Sequence, residues 1–525
     1  MQEDPVGQRS SVGCLRRARS GAAPARAAVL GPRRCARLGG IACWLALHAA
    51  LDVGVAAAIE SPRISGTFET YGILRFDWQS PRQRPLGRID LAIEQKIAER
   101  TRVKLSAIGS WGGTIENSSG AGLIDFGHAF QNPDPSLQLG QAYVDHSTDT
   151  IDVRVGTQVF TWGRLDGIRP NDQLNPRIYL DPFLTDEVAA KVPVPAVSVA
   201  YAPDGAWAKA LPEESRLTFV WVPFVVPWRF PLEDERWFAP AARVSQNINV
   251  GASVDPRCPC SFLVDQTVGN VGAPARTFDN GGFGIRYTAR SYEVDWAITY
   301  YDGFDSTPSF DLKLQIDPVV RDDVPDVLET NLDVRLRPAF ERYRSLGADF
   351  ETAIGAVTVR GEGAFRFRRP YSFDLRALQG LIEQNQAAVE QLAAFQPVDV
   401  PAFVKRDAVD WGLGADYTTH GLLTLLEVQQ LVLLHNDQRL LVRDVDTRIA
   451  LVLQKSFLDD RLHARATGLW GIESGYELVR GELTYDFTDH LSARVGILGI
   501  WGSANSLIGQ YEANSEAYAA MRYSF

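Results

Sequence analysis

The sequence predicts an all-β fold: a transmembrane antiparallel β-barrel of the outer-membrane type, with about 18 strands, long extracellular loops and one loop helix. Three observations carry this. Segments of about ten residues alternate apolar and polar from Gly66 onward. Tight and long connections take turns along the chain. The chain stops on "AYAAMRYSF", an amphipathic strand with a free aromatic end.

Composition narrows the class before any motif is used. With 525 residues, a formal net charge of −11 and 45% hydrophobic residues, the chain can bury a large core. No apolar run approaches the ~20 residues that a membrane-crossing helix needs, which excludes helical membrane proteins and leaves strand-based ones.

Residues 1–58 read as a cleaved targeting segment and residues 59–525 as the barrel. Arg16, Arg17, Arg19, Arg26, Arg33, Arg34 and Arg37 form a basic region, "IACWLALHAAL" is the apolar stretch, and Ala56 to Ala58 offer a small-residue cleavage site. The basic region is long for such a segment, which leaves open a true start downstream of Met1. Cleavage removes eight arginines and three acids, taking the net charge from −11 to −16. So acidic a chain argues against nucleic acid as a partner. Cys258 and Cys260 are the cysteines that remain, too few for a disulfide scaffold and without further ligands at metal spacing. A local disulfide or two free thiols is expected there, with no metal and no cofactor.

Eighteen strands follow in order, near 66–78, 87–97, 102–112, 136–146, 151–160, 194–202, 216–224, 281–288, 292–301, 338–353, 356–368, 406–417, 422–435, 444–457, 461–471, 476–487, 491–501 and 515–525. "RIDLAIEQK" sets Ile89, Leu91 and Ile93 against Arg88, Asp90 and Glu94, and "YEVDWAITY" repeats the pattern. A soluble sandwich shows such strands too, so the connections decide. Most even-numbered strands end in tight turns such as "ERT" and "TDH", whereas stretches at 113–135, 161–193, 225–280, 302–337 and 369–405 run to tens of residues. That is the rim asymmetry of an outer-membrane barrel, and an even strand number returns both ends to the periplasmic side. First and last strands then pair and close the sheet. Tyr523 and Phe525 read as the terminal insertion signal, with Tyr523 at the lipid interface.

The apolar faces assign the charged faces to the interior, because Arg or Lys at mid-bilayer costs about 2–4 kcal/mol. Arg154, Arg360, Glu362, Arg366, Arg465 and Arg494 fall on that parity. Two readings stand: these charges set a field that tunes solute selectivity in a water-filled conduit, or they pair across strands and satisfy one another.

The loops divide similarly. In "TWGRLDGIRPNDQLNPRIYLDPFLTDEVAAKVPVPAV", Pro170, Pro176 and Pro182 with Asn171, Asp172, Asn175 and Asp181 dictate an ordered loop. Folded inward, it brings Arg164, Asp166, Arg169, Asp172 and Arg177 to a constriction; folded outward, it caps the rim. The 369–405 connection holds the helix, with Leu375, Leu378, Ile382, Val389 and Leu392 on one face, Asp374 as its cap and Pro397 as its stop. It serves either as a lid or plug, or as packing on the rim or inner wall. Trp228, Phe230, Trp237 and Phe238 in the 225–280 loop suit an apolar or sugar ligand, or plain loop packing.

The stretch "RVGTQVFTWGRLDGIRPNDQLNP", with its Trp-Gly and Pro-x-Asp-x-x-Asn-Pro elements, resembles a proteobacterial family of outer-membrane β-barrels of unknown function, similar in style to alginate-export-type porins. The resemblance implies an outer-membrane channel or exporter in a Gram-negative bacterium. Partners that follow are outer-membrane lipid, the barrel-assembly machinery, an unknown solute and, for export, a periplasmic or inner-membrane partner. A plugged barrel serving as a surface binding or adhesion scaffold is the second function. An outer-membrane hydrolase ranks third, since no histidine of the mature chain sits in a recognisable nucleophile motif and His463 reads as a polar wall residue.

Overall fold

The computed structural model describes residues 60–76, 86–111, 136–167, 169–178, 190–231, 236–245, 247–248, 262–268, 274–320, 328–435 and 437–525. The targeting segment, the Cys258–Cys260 pair and loop residues 179–189 lie outside them.

In chain order the strands are β1 Arg63–Arg75, β2 Leu86–Ala98, β3 Thr101–Trp111, β4 Ser136–Ser147, β5 Ile151–Gln158, β6 Val194–Tyr201, β7 Glu213–Val222, β8 Asn247–Ile248, β9 Phe262–Val268, β10 Gly282–Ser291, β11 Val294–Phe304 and β12 Ser309–Val320. There follow β13 Leu328–Ala339, β14 Arg342–Ile354, β15 Val357–Ser372, β16 Val398–Pro401, β17 Phe403–Thr419, β18 Leu422–Leu434, β19 Val445–Phe457, β20 Leu462–Gly471, β21 Tyr476–Asp486, β22 Leu491–Gly502 and β23 Glu516–Ser524.

All but β8, β9, β12, β13 and β16 belong to one 18-stranded antiparallel sheet, each strand hydrogen-bonded to the next barrel strand in the chain. Every one of the eighteen segments expected from alternation is a strand of this sheet. Closure comes from β1 and β23, in register from Thr67↔Ser524 to Arg75↔Glu516. Past the last rung, Gly66 N–H donates to the Phe525 carbonyl at 2.9 Å and Phe525 N–H to that of Gly66 at 3.0 Å. No edge is left for water or another chain to pair with, the condition for a strand-built wall in lipid.

The pleat divides each strand as its sequence implies. Leu105, Leu217, Ile298, Leu413, Leu483 and Ile497 stand exposed on the outside, while Asp349, Glu362, Arg366, Asp410 and Glu427 on the opposite parity are buried. The tight connections, such as the two residues His420 and Gly421 with φ of 47° and 73°, share one rim with the start of β1 and the end of β23.

On the other rim, the connections expected as loops carry a second sheet. Its order is β16-β12-β13-β9-β8, antiparallel except for the β13–β9 pair. This corrects the reading of 302–337 as loop. Leu312, Leu314 and Ile316 alternate with polar residues as barrel strands do, and Leu332, Val334 and Leu336 repeat the pattern, but here the apolar face is fully buried. It packs on the expected helical segment, which runs as Leu378–Glu383 and Gln386–Ala393. Asp374 caps its entry through the Arg376 N–H, and Asn385 caps the second piece by accepting from the Ala388 N–H. Ile382, Leu392, Leu431, Leu433 and Leu440 share the same core, which fuses this cap to the top of β18. Replacing the fully buried Ile382 with alanine is expected to cost about 2–5 kcal/mol of cap stability. Hydrogen exchange checks this: amides of β12 and β13 lose protection while those of β1 and β23 keep theirs.

The connection after β7 takes a different course. Trp228 N–H bonds the Ser306 carbonyl at 2.9 Å near β11, yet Trp237 lies among Leu478, Leu498 and Ile500 of β21 and β22. Arg236 bonds Glu516 and the Asn514 carbonyl, and Asn514 returns a bond to the Arg236 carbonyl at 2.9 Å. Since β7 and β22 stand on opposite sides of the ring, this segment is a strap across the long-loop mouth.

Candidate functional site

The chain leaves the wall at Gln158 because Asn175 takes over the next rungs of the ladder. Its side chain accepts from the Phe160 N–H at 2.6 Å and donates to the carbonyls of Gln158 at 3.0 Å and Val192 at 2.9 Å. Lys191, almost fully buried, donates to the Phe160 carbonyl at 2.9 Å and pairs with Asp172 at 2.5 Å. The base of the loop is thus tied without a continuing strand.

From there the loop runs inward. Trp162 and Leu174 pack with Val194, Val220, Tyr301 and Tyr343 on the inner faces of β6, β7, β11 and β14. Glycine is required opposite them: a Cβ at Gly284 of β10 would come within 2.6 Å of the Trp162 ring, and one at Gly347 of β14 would overlap the Asn171 amide.

Beyond this apolar anchor, two wall carboxylates hold the loop by its backbone. Glu362 of β15 accepts from the N–H groups of Arg164 at 2.8 Å, Leu165 at 3.3 Å and Asn171 at 2.6 Å. Glu427 of β18 accepts from Asp166 N–H at 2.6 Å and Gly167 N–H at 2.9 Å. Both carboxylates are 5% exposed, so the N–H groups they engage stand in for lost water. Bonds of a carboxylate to backbone N–H are charge-assisted and roughly twice as strong as neutral ones. A segment rooted at β5 is therefore fastened on β14, β15 and β18, far around the ring, and crosses the interior between them.

Ion pairs surround these contacts. Asp349 receives two bonds from Arg286, at 2.7 and 2.8 Å, and one from Arg164 at 3.0 Å. Arg360 joins Asp166 of the loop to Asp416 of β17, the latter at 2.5 Å. Arg366 pairs with Asp410 at 2.8 Å. Arg177 meets Asp172 at 3.4 Å, and Arg169 bonds the Leu165 carbonyl within the loop. Lower on the wall, Arg154 pairs with Asp145 at 3.3 Å over the Tyr143 ring, and Arg494 pairs with Glu69. Of the interior arginines picked out by sequence, Arg465, like Arg102 and Arg522, has no hydrogen-bond or ion-pair partner among the described residues. Pairing thus reaches nearly the whole set, which leaves little unbalanced charge in the upper lumen. Tyr523 and Phe525 lie on the outer face, 47% exposed each, their rings 6.1 Å apart.

Sequence reasoning did not single out Glu427, Asp349, Arg286 or Lys191. A signal existed for two of them: Glu427 is the lone acid of "LLTLLEVQQLVLL", and Lys191 is isolated in "AAKVPV". For Asp349 and Arg286 no local pattern separates them from other inward charges.

The chain belongs to a family described as proteins of unknown function (DUF1302), which matches residues 127–442 and so spans the inward loop, the strap and the cap. No curated protein matches it. Among solved structures, Acinetobacter baumannii OccAB1 shares 10% identity over 90% of this chain and 98% of its own, with a TM-score of 0.47. The outer membrane channel DcaP of Acinetobacter baumannii shares 9% identity over 90% of this chain and 99% of its own, with a TM-score of 0.38.

Proposed function

We propose that the protein is an outer-membrane channel of a Gram-negative bacterium that passes small polar or amphipathic solutes through a lumen narrowed by the 161–193 loop. The observation that carries this reading is the fastening of that loop on Glu362 and Glu427 of the far wall. A loop fastened across a closed barrel reduces the passage without sealing it, and the paired charges around it fix its position rather than attract ions. The terminal Tyr523 and Phe525 serve assembly by the barrel-assembly machinery, after export on a cleaved signal peptide. The resemblance to alginate-export-type porins adds outward transport, with a periplasmic or inner-membrane partner supplying cargo. Planar-bilayer recordings of the purified barrel test the reading: discrete conductance steps with a defined reversal potential under a salt gradient are expected, and a silent barrel overturns it.

One observation favours a second reading. The strap and cap lie across the long-loop rim, as a plugged surface scaffold requires. A barrel that stays silent after strap cleavage, yet binds an external partner, belongs to this class.

A further inference from the structure

At the short-turn end, away from the inward loop, the lumen wall holds a recess of about 650 Å³ bounded by β19 to β23. His463 of β20 lines it. Its Nε2 lies 3.0 Å from Asp486 Oδ2 of β21, and its Nδ1 lies 3.0 Å from the Ser456 hydroxyl of β19. A carboxylate only accepts, so in neutral imidazole Nε2–H donates to Asp486, and Nδ1 is left to accept from the Ser456 O–H. Hydroxyl, imidazole and carboxylate stand in series across β19, β20 and β21; His463 and Asp486 line the recess, 33% and 41% exposed at the side chain, and Ser456 lies half-buried beside them.

The next same-face position of each strand, about 7 Å further up, adds the missing element. Gln454 and Arg465 are direct cross-strand partners there, as Ser456 and His463 are below them. Neither Gln454 nor Arg465 has a side-chain partner among the described residues. The acid opposite Arg465 is Glu482, already engaged by Arg480 at 2.6 Å and the Tyr518 hydroxyl at 2.8 Å. Like Arg461 and Arg522 of the same recess, Arg465 has a guanidinium unengaged among the described residues, and with the Gln454 amide it stands one same-face position above the hydroxyl. Both are hydrogen-bond donors that an ester reaching along the wall from Ser456 meets next, which suits them to the oxyanion that forms when Ser456 attacks a carbonyl.

We propose that Ser456, His463 and Asp486 form a carboxylic-ester hydrolysis site in the lumen wall, with Gln454 and Arg465 stabilising the oxyanion. Ser456 Oγ bonds the ester carbonyl carbon as its proton passes to His463 Nδ1. The carbon–alkoxide bond breaks, and the alcohol departs with that proton. Water then attacks the acyl-serine, giving its proton to His463, and the acid leaves as Ser456 regains a hydrogen. Asp486 positions the imidazole and touches no substrate.

The test uses the barrel purified from outer membranes, with a fluorophosphonate probe and p-nitrophenyl butyrate. Expected are one probe per chain on Ser456, and a loss of hydrolysis of about 100-fold or more in Ser456→Ala. Arg465→Met is expected to lose at least about tenfold in kcat, and Asp486→Asn to lower kcat and displace the pH profile with KM little changed. Ser492→Ala, in the same recess, keeps full activity. Each variant is compared as heat-modifiable folded barrel, and conductance of Ser456→Ala stays at the wild-type value, so a failed hydrolase and a failed channel are read separately. No labelling of the folded wild type, or labelling and hydrolysis that survive Ser456→Ala, overturns the proposal.

Discussion

Glu362→Ala is expected to raise single-channel conductance and its fluctuation, because the loop then loses its main fastening. Three backbone N–H groups, those of Arg164, Leu165 and Asn171, are left facing a void where a buried carboxylate stood. Each unsatisfied buried donor costs about 1–3 kcal/mol, enough to detach the 164–171 segment while the Trp162 anchor holds the loop base. Glu362→Gln separates fastening from charge. The amide keeps one acceptor oxygen but sets an NH2 group against those same donors, so an intermediate rise is expected. If both variants conduct as the wild type does, the loop is held by something other than this carboxylate.

The second large effect belongs to the strap. Trp237→Ala removes a buried ring from among Leu478, Leu498 and Ile500, a loss of about 3–5 kcal/mol for a substitution of this kind. Arg236 next to it keeps its bonds to Glu516 and Asn514, so the strap loosens without leaving its rim. Every 1.4 kcal/mol is about tenfold in the opened population, so trypsin cleavage after Arg243 is expected to quicken by about two to three and a half orders of magnitude in reconstituted barrels. Unchanged cleavage would mean that the ring contributes nothing to closure.

Both effects rest on contacts that differ in how visible they were in sequence. Strand number, closure and the wet face were legible because lipid imposes one rule on every residue of a wall: Leu413 outward and Asp410 inward follow from parity alone. The turns in the described part of the inward loop were legible, since proline and asparagine dictate them locally. Its landing points were not, because Glu362 and Glu427 lie about 200 and 260 residues further along the chain and hydrogen bonds at that separation leave no local pattern. The cap sheet escaped for the opposite reason. Leu312, Leu314 and Ile316 carry the same period-two signal as a membrane strand, and only their partners, Val398 and Val400 of β16 and the helical Ile382, tell a cap from a wall. The Ser456–His463–Asp486 row needed three strands in register before it could be seen at all.

Single-channel current through the purified barrel, recorded beside a variant shortened between Arg164 and Arg177, tests the central claim most directly. A narrowed channel predicts a markedly larger unit conductance and an altered reversal potential in the shortened form. Identical currents in both, or silence in both, would contradict a passage limited by this loop.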